Sequence, residues 1–134
     1  MELIRKYFPR IDTTQERPFQ KLIEVIPILN RQVNIISRKD IDHLEERHIL
    51  HSLSIAKKFT FDPGNSVIDA GTGGGFPGIP LAILFPESSF ILVDSIGKKI
   101  NLVKQISSLL ELKNVRALHQ RAETLEEKAD FVVS

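Results

Sequence analysis

Residues 66–83 read SVIDAGTGGGFPGIPLAI, and this stretch decides how the rest of the chain is read. Ser66 to Asp69 has the apolar character of a short buried strand. Gly71 to Gly75 forms a glycine-crowded loop. Phe76, Pro77 and Gly78 then lead into an apolar run, Ile79 to Phe85, that reads as a helix. Strand, glycine loop and helix in this order place a nucleotide-sized site at the carboxyl end of a strand in an α/β sheet. Five glycines within residues 71–78 carry a large conformational entropy, which a turn without a ligand gives little reason to keep.

The spacing narrows the ligand. No Gly-Lys-Ser/Thr follows the loop, so it is not a phosphate-gripping P-loop. Gly73, Gly75 and Gly78 spell G-x-G-x-x-G, the dinucleotide fingerprint. The other frame is Asp69-x-Gly71-x-Gly73-x-Gly75, with an acid two residues ahead of the first glycine. That frame resembles motif I of the Rossmann-like S-adenosylmethionine methyltransferases. An acid at Asp69 suits a cofactor bearing an ammonium and a sulfonium, and suits a pyrophosphate poorly. Ser89 to Val93 reads as the next strand, ending in Asp94, 23 positions after Gly71. An acid about 20 residues past the loop is placed to accept ribose hydroxyls. Asp94 therefore points to an adenosine cofactor, and serves equally as a cap for the helix behind it.

The chain of 134 residues suffices for one compact domain, and 42% hydrophobic with 26% charged residues is ordinary for a globular protein. A net charge of +1 does not announce nucleic acid. The absence of cysteine excludes a disulfide framework, a thiolate metal site and a cysteine nucleophile, and fits a cytoplasmic setting. No signal peptide, membrane span, repeat or low-complexity tract is expected.

Along the chain, the first sixteen residues read as a lead-in. A helix is expected from Arg17-Pro18, with Phe19, Leu22, Ile23, Ile26 and Leu29 at helical spacing. Pro27 is expected to kink or divide it. Asn34 to Arg38 reads as a linker, and Asp40 as the cap of one or two further helices reaching Phe59. Asp62-Pro-Gly-Asn65 is a strong turn. It separates an N-terminal helical extension, residues 1–62, from an α/β core, residues 63–134. In that core a helix over Lys98 to Leu110, a strand Val115 to His119, a polar connector Gln120 to Glu123 and a strand Asp130 to Val133 imply a parallel sheet with right-handed crossovers.

Three runs then resemble one family: Arg47-His-Ile-Leu-His-Ser-Leu53, Val67-Ile-Asp-Ala-Gly-Thr-Gly-Gly-Gly-Phe-Pro-Gly-Ile-Pro-Leu81 and Asp94-Ser-Ile-Gly-Lys-Lys99. Together they resemble the bacterial 16S ribosomal RNA guanine-N7 methyltransferases, also called the glucose-inhibited division protein B family. The likeness runs from about Phe19 to Ser134. It implies a Rossmann-like methyltransferase fold, incomplete at its C-terminal strands, behind the helical extension. It implies S-adenosyl-L-methionine as cofactor. Asp69 would lie near the methionine end, Gly71, Gly73 and Phe76 along the loop, Asp94 at the ribose, and Ala122 and Glu123 beside the adenine. The 16S RNA of the small ribosomal subunit or its assembly intermediate would be the partner, with Arg47, His48 and Arg121 as RNA contacts. Arg38, Lys39, Lys98 and Lys99 are further phosphate candidates, though solvated positions explain each one singly.

The implied chemistry needs no acid or base, because guanine N7 carries a free lone pair and no proton. No catalytic residue and no metal are expected; alignment and electrostatics carry the transfer. The target guanine should lie in a loop or an opened helix, where N7 is reachable. His51 stands where the family commonly has Asp, and Ile36 where many members have Thr. A complete sheet of this class has about seven strands, against four here, so an open edge is expected at the fourth strand. A monomer is expected, with self-association through that edge as the route to anything larger. Two other classes stay open: an NAD-dependent oxidoreductase, allowed by G-x-G-x-x-G with Asp94, and a non-catalytic RNA-binding module on the same fold.

Overall fold

A computed structural model describes residues 1–134. Its centre is a four-stranded parallel sheet in the order β3–β2–β1–β4. The strands are β1 (Ser66–Ala70), β2 (Ser89–Asp94), β3 (Val115–His119) and β4 (Phe131–Val133). Continuous apolar runs such as Phe90 to Val93 form them because parallel strands are buried on both faces. Val67 faces Phe90 across one side of β1 and Phe131 across the other. The chain steps outward from β1 to β3, then returns to lay β4 beside β1. Such a reversal opens a crevice at the carboxyl ends of the strands, where α/β sheets take their ligands.

Helices α5 (Gly78–Leu84) and α6 (Gly97–Leu109) make the crossovers. Ahead of the sheet come α1 (Glu2–Tyr7), α2 (Thr13–Leu29) and α3 (Arg38–Ile41). A helical stretch follows, wound as a π-helix over Glu45–Leu50, as α4 over His51–Leu53 and as a tighter turn over Ser54–Lys57. The expected lead-in is therefore corrected, since it holds α1 and the first turn of α2. Asp12 starts α2 with a capping box: its carboxylate accepts from Gln15 N at 3.0 Å and Gln15 Oε1 accepts from Asp12 N at 3.0 Å. Pro18 thus lies inside the helix and not at its first position. The helix also runs undivided through Pro27, held by buried Phe19, Leu22, Val25 and Ile26. A second correction concerns Asp40. The cap of α3 is Ser37, whose Oγ accepts from Asp40 N at 3.2 Å.

One cluster of 21 buried hydrophobic residues runs from Ile4 through Phe19, Leu53 and Phe61 to Val67, Phe90, Leu92 and Ile106. The helices of residues 1–62 and the sheet share it. Gln15 Nε2 also donates to Leu84 O at 3.0 Å, tying α2 to the end of α5. The opposite face of the sheet holds only Ile68, Ile91 and Val93, with Leu118, Leu125 and Ala129 packed against them. No helix is long and apolar enough to cross a membrane.

Candidate cofactor site

The loop after β1 is shaped by its glycines. Gly71, Gly73 and Gly75 have φ of 72°, 59° and 99°, values that side chains rarely adopt. Gly71 N and Thr72 N both donate to Val93 O at 2.9 Å, which lashes the loop to β2. Gly75 N and Phe76 N donate to Thr72 O at 3.0 and 3.1 Å. Gly78 serves a different need. A Cβ there would lie 2.7 Å from Leu92 Cγ and 2.8 Å from Asp69 Oδ2, so only glycine lets α5 come this close to β2.

Asp69 lies beneath the loop with no exposed surface. Its Oδ2 accepts from Thr72 Oγ1 at 2.7 Å and Gly78 N at 2.9 Å, while Oδ1 is buried without a partner. Burial pushes its carboxyl up to about 6; the bonds from Thr72 and Gly78 pull it back, and the nearby charge of Asp94 adds to the rise. Asp69 therefore braces the loop from below.

Asp94 closes β2 with 8% of its surface exposed. Its Oδ1 accepts from Ile96 N and its Oδ2 from Gly73 N, both at 2.9 Å. Both oxygens keep lone pairs beyond these bonds. Asp94 lines a cleft of about 210 Å³ with Gly71, Val93, Ser95, Gln120, Arg121, Ala122 and Glu123. Ala122 and Glu123 reach it on a single turn, Ala122–Thr124, just past β3. The structure thus gathers Gly71, Asp94, Arg121, Ala122 and Glu123 at one cleft, with Gly73 joined through its bond to Asp94.

Phe76, Arg47 and His48 stand outside this cleft. His48 packs on Phe76 with ring centroids 5.7 Å apart, on the side of the loop that faces the helices. Its Nε2 is shut off from water without a hydrogen bond, 3.9 Å from Asp40 Oδ2. Arg47 donates to Asp40 Oδ1 at 2.7 Å, so it is engaged within the chain. Both lie in the π-wound segment, a winding frequent at functional sites. Of the departures, Ile36 is a buried core residue and His51 is exposed.

Sequence reasoning missed Ser95, Gln120, Thr72 and Asn30. Ser95 and Gln120 line the cleft, and Thr72 bonds Asp69. Position after a strand end is their only local signal. Asn30 directly follows the apolar run of α2, a capping position that could have drawn notice.

Asp94, a recessed carboxylate with free lone pairs, can accept a vicinal diol, and the exposed Arg121 and Glu123 place one base and one acid at the mouth of the cleft. No group of three or more His, Cys, Asp or Glu side chains is arranged to hold a metal ion.

A parallel sheet with a glycine loop at the end of β1 and an acid at the end of β2 defines a Rossmann-like nucleotide-site fold, and solved methyltransferases share it. A SAM dependent methyltransferase from Aquifex aeolicus superposes with a TM-score of 0.55 at 23% identity, over 72% of this chain and 55% of that one. A precorrin-6y C5,15-methyltransferase from Geobacter metallireducens gives 0.54 at 15% identity, over 75% and 50%. Residues 15–134 match the family described as GidB, rRNA small subunit methyltransferase G, and the chain belongs to that family. A ribosomal RNA small subunit methyltransferase G of Porphyromonas gingivalis is 54% identical over 133 residues, which are 99% of this chain and 60% of that protein. One of the same name from Flavobacterium johnsoniae is 55% identical over 134 residues, 100% of this chain and 64% of that protein. The chain thus spans somewhat under two thirds of the length of these relatives.

Proposed function

We propose that this chain is the cofactor-binding part of an S-adenosyl-L-methionine-dependent methyltransferase that modifies N7 of a guanine in 16S ribosomal RNA, in the cytoplasm. One observation carries the reading: in a member of this family, Asp94, Gly71, Ala122 and Glu123 meet at one cleft beside a glycine loop. Asp94 would accept the ribose hydroxyls, while Ala122 and Glu123 would border the adenine. Gly71, Gly73 and Phe76 would lie along the rest, above Asp69. When bound, the cofactor supplies an electrophilic methyl group on sulfur. The target N7 would offer a free lone pair and carries no proton to remove. No proton moves, so no side chain is asked to be an acid or a base. The chain's task is to hold the loop rigid and to tolerate positive charge on the product purine.

Arg47, His48 and Arg121 are proposed RNA contacts. Arg121 is the most available, exposed at the mouth of the cleft with only a 3.8 Å approach to Glu123. Arg47 would have to leave Asp40. We also propose that residues 1–62 act as an extension on a core of residues 63–134, and that the chain is monomeric.

Calorimetric titration with S-adenosylhomocysteine tests the cofactor assignment. Saturable binding is expected for this chain, at least tenfold weaker in Asp94→Ala because a hydrogen bond to a charged group is lost. NADH should not bind. A folded chain that ignores S-adenosylhomocysteine, or binds NADH instead, overturns the reading. Methylation of 16S RNA by the full-length protein tests the substrate.

A further inference from the structure

Gly74 is the loop glycine that its backbone does not explain. Gly71, Gly73 and Gly75 need positive φ, and Gly74 does not. The Asp-x-Gly-x-Gly-x-Gly frame does not require it either, because it fills a free position. The space around it gives the reason. A Cβ at Gly74 would lie 2.6 Å from Ile35 Cδ1, 3.3 Å from Ile35 Cβ and 3.4 Å from Ile35 Cγ1. The room is already taken by a side chain from the helical extension.

The side chain of Ile35 packs against the main core, and its backbone is held by Asn30. Asn30, at the end of α2, accepts from Ile35 N and Ile36 N at 2.9 Å each through Oδ1, and donates to Ile36 O at 2.8 Å through Nδ2. The carboxamide thereby fixes the turn between α2 and α3 at three points. Ile36 goes into the core, 3% exposed, and Ile35 is left to face the loop. A second contact from the same side, His48 on Phe76, supports the far end of the loop.

We propose that Asn30 is a positioning residue for the glycine loop, acting by pressing Ile35 against Gly74. The helical extension then sets the loop conformation that the cofactor meets. The effect on affinity rests on the cofactor assignment made above; the effect on the loop rests on geometry alone. Three hydrogen bonds to one turn make that turn a rigid stop. A loop built of glycines has little stiffness of its own and takes it from its neighbours.

The test compares this chain with Asn30→Ala, Asn30→Asp, Ile35→Ala, Ile35→Val, Gly74→Ala and the double variant Ile35→Ala/Gly74→Ala. Two readouts are taken: amide hydrogen exchange at Gly75 and Phe76, and calorimetric titration with S-adenosylhomocysteine. Asn30→Ala and Ile35→Ala should speed exchange at Gly75 and Phe76 by about tenfold while the β2 amides keep their rates, as local opening predicts. Affinity should fall by about fivefold, the usual scale for coupling through packed contacts. Asn30→Asp keeps the two acceptor bonds and should fall between. Gly74→Ala should weaken binding, and adding Ile35→Ala should restore part of it, because the truncated side chain makes room for the new Cβ.

Unchanged exchange at Gly75 and Phe76 in Asn30→Ala overturns the proposal, as does a double variant in which the two losses merely add. If the wild-type chain does not bind S-adenosylhomocysteine, the cofactor assignment fails, and the exchange rates alone decide the role of Asn30. If the alanine variants do not fold, Asn30→Asp and Ile35→Val carry the same comparison; the latter removes only Cδ1, the atom nearest Gly74.

Discussion

On one face of the sheet, Val67, Phe90 and Leu92 point into a core of 21 buried residues closed by α2, α5 and α6. On the other, Ile68, Ile91 and Val93 meet only Leu118, Leu125 and Ala129. Val132 on that second face is 67% exposed, and the cover includes Arg116, whose guanidinium holds Glu127 through two hydrogen bonds at 2.9 and 3.2 Å. Parallel sheets ordinarily bury both faces. Here the two are covered unequally. Helices from residues 1–62 thicken one face, and Ile35 lies against Gly74 of the loop from that same side. The thin face carries the turn at Ala122–Thr124 that borders the cleft.

The largest effect should come from deleting matched side chains on the two faces. Leu92→Ala should cost about 4 kcal/mol, because Leu92 is fully buried against Gly78 and the cavity cannot collapse. Ile91→Ala on the thin face should cost about 2 kcal/mol, the low end for such truncations, since its surroundings can relax. Urea unfolding midpoints measure both. Equal losses would remove the distinction between the faces.

Next comes the pH dependence set by Asp69, on the thick side. Its carboxyl is raised from 3.8 to about 6, so the folded chain holds the proton more tightly than the unfolded chain. Its contribution is therefore full below the unfolded value and is lost as pH rises through about 6, a loss of about 3 kcal/mol by neutral pH. Three other carboxylates act oppositely. Thr14 and Gln15 bonds hold Asp12 low and the Arg47 guanidinium holds Asp40 low. Glu45 is raised by burial but brought below its usual value by the terminal ammonium and Ile4 N–H. Their stabilisation is lost as pH falls. Asp69→Asn isolates the contribution of Asp69: relative to wild type, the variant should gain stability as pH rises from 4 to 7. A constant difference in unfolding midpoint across that range would contradict it.

The smallest effect should come from Arg116→Ala. Its ion pair with Glu127 is exposed, and exposed pairs contribute little once salt screens them. At high salt its unfolding curve should overlay that of the wild type. A clear loss there would mean that the thin face is braced by charge as well as by Leu125 and Ala129.

Most of the sheet and much of the cleft were legible because their signals are local. Apolar runs marked β1 to β4 within a residue or so, and the glycine frame with Asp94 marked the loop and its acid. The start of α2 was not, because its cap lies in a polar stretch, Asp12 to Gln15, ahead of the first apolar repeat. The burial of Asp69 was not, because a motif fixes a position and says nothing of which way the carboxylate turns. Gly74 carries no signal of its own within the glycine-crowded loop. Its partner Ile35 is far away in sequence, and a contact of that kind leaves no periodic trace.

The bond from Gly73 N to Asp94 Oδ2 has a practical consequence. A diol arriving at Asp94 must share or displace that N–H, so one peptide amide in the chain changes its electrostatic surroundings whenever the carboxylate is taken. The amide resonance of Gly73 is in effect a built-in gauge of occupancy. A fragment that shifts it has found Asp94, and one that binds without shifting it has settled elsewhere.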